Sequence, residues 1–535
     1  MTNRKTKLLA LTAIAAMLAA CSNSGGNGGG GGSESSGTND GGGAAASKPL
    51  HVSITLMGGP KTPDAWVETA LEEDLSASLN RKVDLENLFL PGWSDYKTKL
   101  NLMMGDRKSM PDILWHSDME KEYNSWIQAG VLVDLVPHLQ KHGRNILDYY
   151  TEDTLFYSWD DGKMFRLPGD VAELGSMTTM LRQDWLDNLG LQTPTTLDQF
   201  VEVLRAFTND DPDRNGKKDT FGFVGDHDWR AFAPFFYSHG VDVDQFLVQE
   251  DGTVKYGATM PQVKQALKLL QDLYAEGVID PRMVTPNVSA GDLFAEGKVG
   301  SLYYWVSFLN AGHPKQMSFK EINPAGQYAA LEPMLGPDGF SADVPSDGKG
   351  WSFVSVTGAA EEPDAVVQVL NRIASKETNT LIKFGKEGEH YKLDNGTFVN
   401  LINEDEGKQL GLDNYTWIIT RKDEANIKNT PEVIQLFERR IETSQPMRDK
   451  IVFFKSSNRK EWSEYSADLI KLRDETFYGI IAGNLDIGAF DSFVERFYKQ
   501  GGKQVEEEAN LLYASQREER EKFGAWYRDN IAPYK

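Results

Sequence analysis

Oxygen-bearing side chains crowd together at Asp211-Pro-Asp213-Arg-Asn215-Gly216-Lys217-Lys-Asp219. Asp211, Asp213 and Asn215 alternate along the chain, and Gly216 supplies a turn. Alternate side chains of a tight loop point inward, and Ca²⁺ takes roughly six to eight oxygen ligands. The spacing matches the first nine positions of an EF-hand-type loop, with the Lys217 carbonyl at the seventh and Asp219 at the ninth. The twelfth position is Gly222, so the bidentate glutamate that usually closes such a loop is missing. The same residues also suit a solvated acidic turn. The glycine and the alternation favour calcium, in a structural role, because a loop between two elements gains from being stapled.

Aromatic rings are the second chemical resource: twelve Trp, nineteen Tyr and twenty-six Phe. An indole at a strand end can stack on the apolar C–H face of a sugar while charged neighbours meet its hydroxyls. Trp115 beside Asp118, Trp229 in a polar loop segment, Trp305 and Trp351 are the candidates, with Arg182 at another strand end. Core packing is the competing role for each Trp, and pairing with a neighbouring acid is the competing role for Arg182. The eight histidines show no metal-site spacing, and no nucleophile elbow or phosphate loop is present. A pair of carboxylates set for glycoside hydrolysis cannot be picked out among so many acids.

These residues need elements to position them. Val52, Ile54 and Leu56 alternate as a first strand. Pro63 opens a helix with Trp66, Ala70, Leu71, Leu75 and Leu79 at helical spacing, and 83–90 reads as a second strand. A helix over 96–104 leads to a third strand, Pro111-Asp-Ile-Leu-Trp115. Strand and helix alternating in this way predict a parallel α/β layer, with ligand beyond the carboxyl ends of the strands, where His116, Ser117 and Asp118 fall. Further on, 176–182 reads as a strand, 184–190 as a glycine-ended helix, 260–276 as an amphipathic helix and 350–356 as a strand. From about Glu432 the chain reads as mainly helical, with 479–489 as a loop.

The N-terminus carries a different message. Arg4, Lys5 and Lys7 precede an uncharged apolar run, Leu8 to Ala20, too short to span a bilayer. It ends in Leu18-Ala19-Ala20-Cys21, which resembles a bacterial lipobox and predicts a signal peptide over 1–20 with lipidation of Cys21. Cys21 is the only cysteine, so no disulfide forms within the chain. Residues 22–47 are mostly Gly, Ser, Ala and Asn, a flexible tether. No second long apolar run follows. The net charge of −23 argues against nucleic acid and anionic lipid as partners.

Several segments taken in order resemble the family 1 extracellular solute-binding proteins of bacterial ABC transporters, notably long lipoprotein members. They are the lipobox, Pro91 to Leu102, Pro111 to Trp115, Arg182 to Gly190 with Pro194 to Asp198, Phe294 to Gly300, and Gly479 to Gly483 through Gly502. The resemblance implies an α/β, two-lobed periplasmic-binding-protein-like fold with a cleft between lobes and a helical C-terminal region. It places 48–168 plus 350–418 in lobe 1 and 171–346 plus 421–535 in lobe 2, with crossings near 167–171, 346–350 and 415–421. It points to Trp305 as a ligand-lining aromatic. Alginate-binding members carry Glu directly after the last Asp of a similar calcium loop, where this chain has Thr220.

The function expected is capture of a carbohydrate, an oligosaccharide above all, by hinge closure and its delivery to permease subunits. The chain would act as a monomer lipid-anchored through Cys21 on the extracytoplasmic face, with no catalysis of its own. The alternatives are a lipid-anchored polysaccharide-degrading enzyme and a binder of a non-sugar solute.

Overall fold

The computed structural model describes residues 48–57, 62–171, 177–226, 229–285, 288–309, 314–332, 334–343, 349–394, 397–412, 414–415, 417–419, 421, 431–455 and 459–535. The signal, Cys21 and tether lie outside these residues, as do parts of the second and third expected crossings. Among the described residues no helix is long and apolar enough to cross a membrane.

Two sheets organise the chain. The first contains β1 (Leu50–Leu56), β2 (Val83–Phe89), β3 (Ile113–Ser117), β4 (Leu167–Asp170) and, from much later in the sequence, β9 (Ser352–Val356). Its order is β2-β1-β3-β9-β4. β1 runs parallel to β2 and β3, joined by α1 (Trp66–Leu79) and α2 (Tyr96–Met104). α1 turns Val67, Ala70, Leu71 and Leu75 inward, while Trp66 and Leu79 of the expected stripe are half-buried. β9 is antiparallel to β3 and pairs Ser352 with Ser117. That register matters, because it delivers Trp351 to the carboxyl end of β3.

The second sheet has the order β8-β5-β7-β6, from β5 (Met177–Arg182), β6 (Phe221–Val224), β7 (Val299–Trp305) and β8 (Tyr328–Ala330). β7 is parallel to β6 and antiparallel to β5, with Trp305 opposite Met177 at the ladder's end. Both faces are covered. A large core packs Phe200, Phe207, Phe223 and Leu267 on one side, and a small one packs Met180, Phe294, Leu302 and Phe319 on the other. β4 lies in the first sheet and β5 in the second, while β8 lies in the second and β9 in the first, so the chain passes between the sheets at both places.

The C-terminal region is helical: α8 (Pro431–Arg448), α9 (Lys460–Ile481), α10 (Ala489–Phe497) and α11 (Lys503–Asn530), numbered after α3 (Glu120–Gln128), α4 (Gln183–Leu189), α5 (Leu197–Asn209), α6 (Pro261–Ala275) and α7 (Pro363–Ile373). α9 runs on to Ile481, so the loop expected from Gly479 begins later, because Ile480 and Ile481 are buried on its inner face.

The last helix contributes to both cores. Its first half belongs to the second core through Val505 and Ala509. Its last turns do not: Phe523 and Tyr527, with Ile531 after them, sit in the first core. The Phe523 ring packs 5.6 Å from both Phe156 and Trp159. The reason is an aromatic stripe, Phe523, Trp526 and Tyr527, at helical spacing that had to be buried somewhere. At 28 residues the helix is about 42 Å long, enough to reach from one core to the other.

Candidate functional site

Of the twelve Trp, those that stand out as exposed among the described residues are Trp93 at 54 %, Trp305 at 49 % and Trp351 at 38 %. Trp305 and Trp351 lie at strand ends, and Trp93 lies in the turn after β2. Trp93 follows β2 in a turn closed by the Asp95 amide donating to the Gly92 carbonyl (3.0 Å). Trp351 immediately precedes β9, and the Ser117 hydroxyl donates to its carbonyl (2.6 Å). Trp305 is the last residue of β7.

Trp93 and Trp351 form one surface. Their ring centroids are 5.6 Å apart and their planes are tilted by 51°. Both rest on Trp115, which is fully buried, at 6.1 Å and 6.0 Å. Tyr96 closes the floor 5.6 Å from Trp115, with its hydroxyl donating to the Ser117 carbonyl (2.8 Å). Burial, with Asp118 nearby, pushes that hydroxyl up to about 12, so it stays protonated and keeps donating. The half-buried Trp417 stands edge-on to Trp351 at 4.7 Å. Two solvent-facing indoles are thus braced from beneath by rings that cannot move without opening the core.

Asp118 is exposed at the lip of this surface, in a left-handed conformation (φ 47°), which aspartate tolerates better than most residues. The Lys97 ammonium donates to its carbonyl (2.9 Å). A carboxylate and an ammonium beside an apolar platform suit a solute with an apolar face and hydroxyl edges.

Three of the sequence candidates are placed elsewhere. Trp115 lies within β3 rather than at its end, and it is the floor of the surface, not a contact. Arg182 is buried and forked onto Asp184, Nε to Oδ1 at 2.8 Å and Nη2 to Oδ2 at 2.6 Å, over the Trp185 ring at 4.6 Å. An acid two residues away satisfies it. Trp229 is buried, with its indole N–H on Asp244 (2.8 Å) and the Arg473 guanidinium 5.8 Å from its ring. Trp351, Asp118 and Trp305 remain accessible. Trp93, Trp417 and Tyr96 were missed. The signal for Trp93 was the turn Pro91-Gly92-Trp93, since a Trp in a turn has no core-facing periodicity to satisfy.

The oxygen-rich loop follows α5. Left-handed residues at Asp211, Arg214 and Gly216 curl it. Asp211 accepts the Asn215 and Gly216 amides through its two oxygens (3.0 Å each), and the Asn215 side-chain amide donates to Asp213 (2.8 Å) and Asp219 (3.0 Å). Asp219 also holds the Lys298 ammonium (2.5 Å), which draws its carboxyl below the usual range. Asp213 is pushed up by burial and by Asp219 and Asp211 nearby, the signature of acids gathered at one point. Among the described residues no three acid, His or Cys side chains stand ready-spaced for a metal. The donor chemistry still fits calcium: hard oxygens from Asp211, Asp213, Asn215, Lys217 and Asp219. Gly222 cannot become the missing glutamate, because a Cβ there would lie 2.3 Å from the Leu204 carbonyl oxygen.

The sequence profile of the bacterial extracellular solute-binding protein family matches residues 59–380. The chain belongs to this family. Among curated relatives, it is 28% identical over 367 residues to the polygalacturonan/rhamnogalacturonan-binding protein YtcQ of Bacillus subtilis (strain 168), covering 65% of this chain and 70% of that protein. It is 26% identical over 446 residues to lipoprotein LipO of the same organism, covering 79% and 85%. Among solved structures, an HMO-binding, ABC-transporter-associated solute-binding protein from Bifidobacterium longum infantis shares the fold (TM-score 0.66, 19% identity, 87% of this chain and 98% of that one). So does an EF-hand mutant of FusA from S. pneumoniae in complex with fructo-nystose (TM-score 0.58, 19% identity, 90% and 100%). The mixed α/β architecture with its helical C-terminal region is that of the solute-binding proteins.

Proposed function

We propose that this solute-binding protein captures an oligosaccharide for an ABC importer, with Trp93 and Trp351 as the stacking platform on one side and Trp305 on the other. The observation that carries the reading is the pair of adjacent exposed indoles braced over buried Trp115. Rings held in water at a strand end and in a neighbouring turn suit the apolar faces of successive sugar units. A relative named for polygalacturonan/rhamnogalacturonan binding and a fold neighbour named for HMO binding support the solute class. Binding energy shared between rings of the two sheets favours the closed form over the open one, the form a permease would recognise. No catalytic step is assigned, and the sugar is released unchanged.

The platform is tested by titrating the protein and its Trp93→Ala, Trp351→Ala and Trp305→Ala variants with a panel of oligosaccharides. Stacking on an aromatic ring contributes roughly 1–3 kcal/mol in nucleic-acid systems, so each variant should lose about ten- to a hundredfold in affinity. Trp305→Ala should leave the melting temperature without ligand as in the parent, whereas Trp93→Ala and Trp351→Ala, which uncover part of Trp115, should lower it modestly. Unchanged affinity, or conversion of the sugar to products, contradicts the reading.

Calcium in the 211–219 loop is part of the same proposal: Asp211, Asp213, Asn215 and Asp219 would hold it with side-chain oxygens and Lys217 with its carbonyl. The ion would neutralise the crowded acids and fix the connection from α5 to β6. The FusA structure described as an EF-hand mutant supports a loop of this kind in the fold. Chelator should lower the melting temperature of the parent and have little effect on Asp213→Ala. Equal sensitivity in both would remove calcium from the account.

We also propose that Cys21 carries a lipid anchor, which the lipoprotein relative LipO supports. Cys21→Ala should move the protein from the membrane to the soluble fraction, with the mature N-terminus checked by mass. A processed variant that stays on the membrane contradicts it.

A further inference from the structure

A cavity of about 470 Å³ opens against α3, within the ~300–1,000 Å³ range of small-molecule sites. One wall is α3, with Glu120 and Asn124. A second is the segment around Trp159 together with Arg166, and the third comes from Lys455 and, on α11, Ser515. Glu120 ties the cavity to the platform. It lies two residues after Asp118, and Lys349, two residues before Trp351, is 3.6 Å from its carboxylate. The Lys349 ammonium also reaches the Lys455 carbonyl (3.5 Å).

The lining is polar but internally balanced. Arg166, almost wholly buried, donates to Glu120 (2.7 Å) and lies over the Phe353 ring at 3.8 Å. Lys455 donates to Glu519 (2.6 Å) and sits 4.9 Å from the Trp159 ring, and burial holds it below the usual lysine range. Ser158, Trp159 and Arg166 each keep a buried polar atom (Oγ, Nε1 and Nε) without a hydrogen-bond partner. A native core leaves few such groups unmet, and all three belong to residues that line this one cavity. An anionic sugar would meet Glu120, Asp160 and Glu519 on the walls. A neutral ring, with hydroxyls that both donate and accept, matches the paired charges and the aromatic wall.

We propose that this cavity is the end pocket of the binding site and receives the terminal ring of a neutral oligosaccharide whose inner rings lie on Trp93 and Trp351. The inference rests on the oligosaccharide reading above and adds chain length and charge to it. Its walls come from α3 in the first core and from the middle of α11, between the turns that anchor that helix in the two cores. A ring held there contacts the element that joins the two halves.

The test is calorimetric titration of the full mature chain with neutral fructo-, gluco- and galacto-oligosaccharide series, from disaccharide to hexasaccharide, and with oligogalacturonides. Ser515→Trp fills the pocket from an exposed helical position, and Asn124→Leu alters the opposite wall should the first variant lower the melting temperature. In the parent, affinity should rise with chain length. In Ser515→Trp the longest chains should lose about tenfold or more, while the disaccharide binds as in the parent. Equal binding of every length by parent and variant overturns the end pocket. Preference for the oligogalacturonides overturns the neutral assignment and leaves the oligosaccharide reading standing. Binding of no sugar by the parent overturns that reading itself.

Discussion

Water is a poor environment for an indole. A Trp side chain buries on the order of 150–250 Å² when packed, and each Å² of apolar surface withdrawn from water is worth about 25 cal/mol. A fold that leaves Trp93, Trp351 and Trp305 exposed forgoes several kcal/mol of stability it could otherwise gain. It keeps them exposed because their neighbours are already packed. Trp115 and Tyr96 fill the floor, the Ser117 hydroxyl pins the Trp351 backbone, and the turn after β2 leaves Trp93 no way inward. The rest of the structure can be read as the frame that holds apolar rings at a water boundary until a solute covers them.

That frame is built by long-range pairing. β9 comes from more than two hundred residues after β3 yet sets the position of Trp351 by pairing Ser352 with Ser117. β5 fixes Trp305 through Met177, and the Met177 carbonyl in turn accepts from the buried Arg440 of α8 (2.8 Å). α11 then enters both cores with opposite ends of one continuous helix. A helix resists bending, so relative motion of the two halves must be accommodated at its ends or by sliding along its middle. The middle is where the helix borders the cavity instead of a close-packed core.

Much of this was legible in the sequence, and the failures have physical reasons. The alternation of Val52, Ile54 and Leu56 and the stripe on α1 placed the first layer, because both are local patterns answering to one buried face. The acidic loop was legible for the same reason: its geometry is carried by adjacent residues and one glycine. The indoles were not. Whether a Trp near a strand end is floor or surface depends on what the fold lays over it. Trp115 is covered by Trp93 and Trp351, which arrive from other segments. For Arg182 the competing role, pairing with a neighbouring acid, is the one realised, by Asp184 two residues away. Trp417 could not have been found, because only the tertiary fold sets it against Trp351. The split of α11 between two cores was hidden in the same way: its aromatic stripe announces burial but not against which partner.

The central claim is that one solute is held by indoles of both halves at once. A double-mutant cycle on Trp351 and Trp305 tests it most directly, with the dissociation constant of the best oligosaccharide measured for the parent, each alanine variant and the pair. Distant, independent sites add to within about 0.5 kcal/mol. If the solute bridges the halves, removing either ring also removes the closure that engages the other, so the double variant should lose clearly less than the sum of the two single losses. Strict additivity would contradict the account.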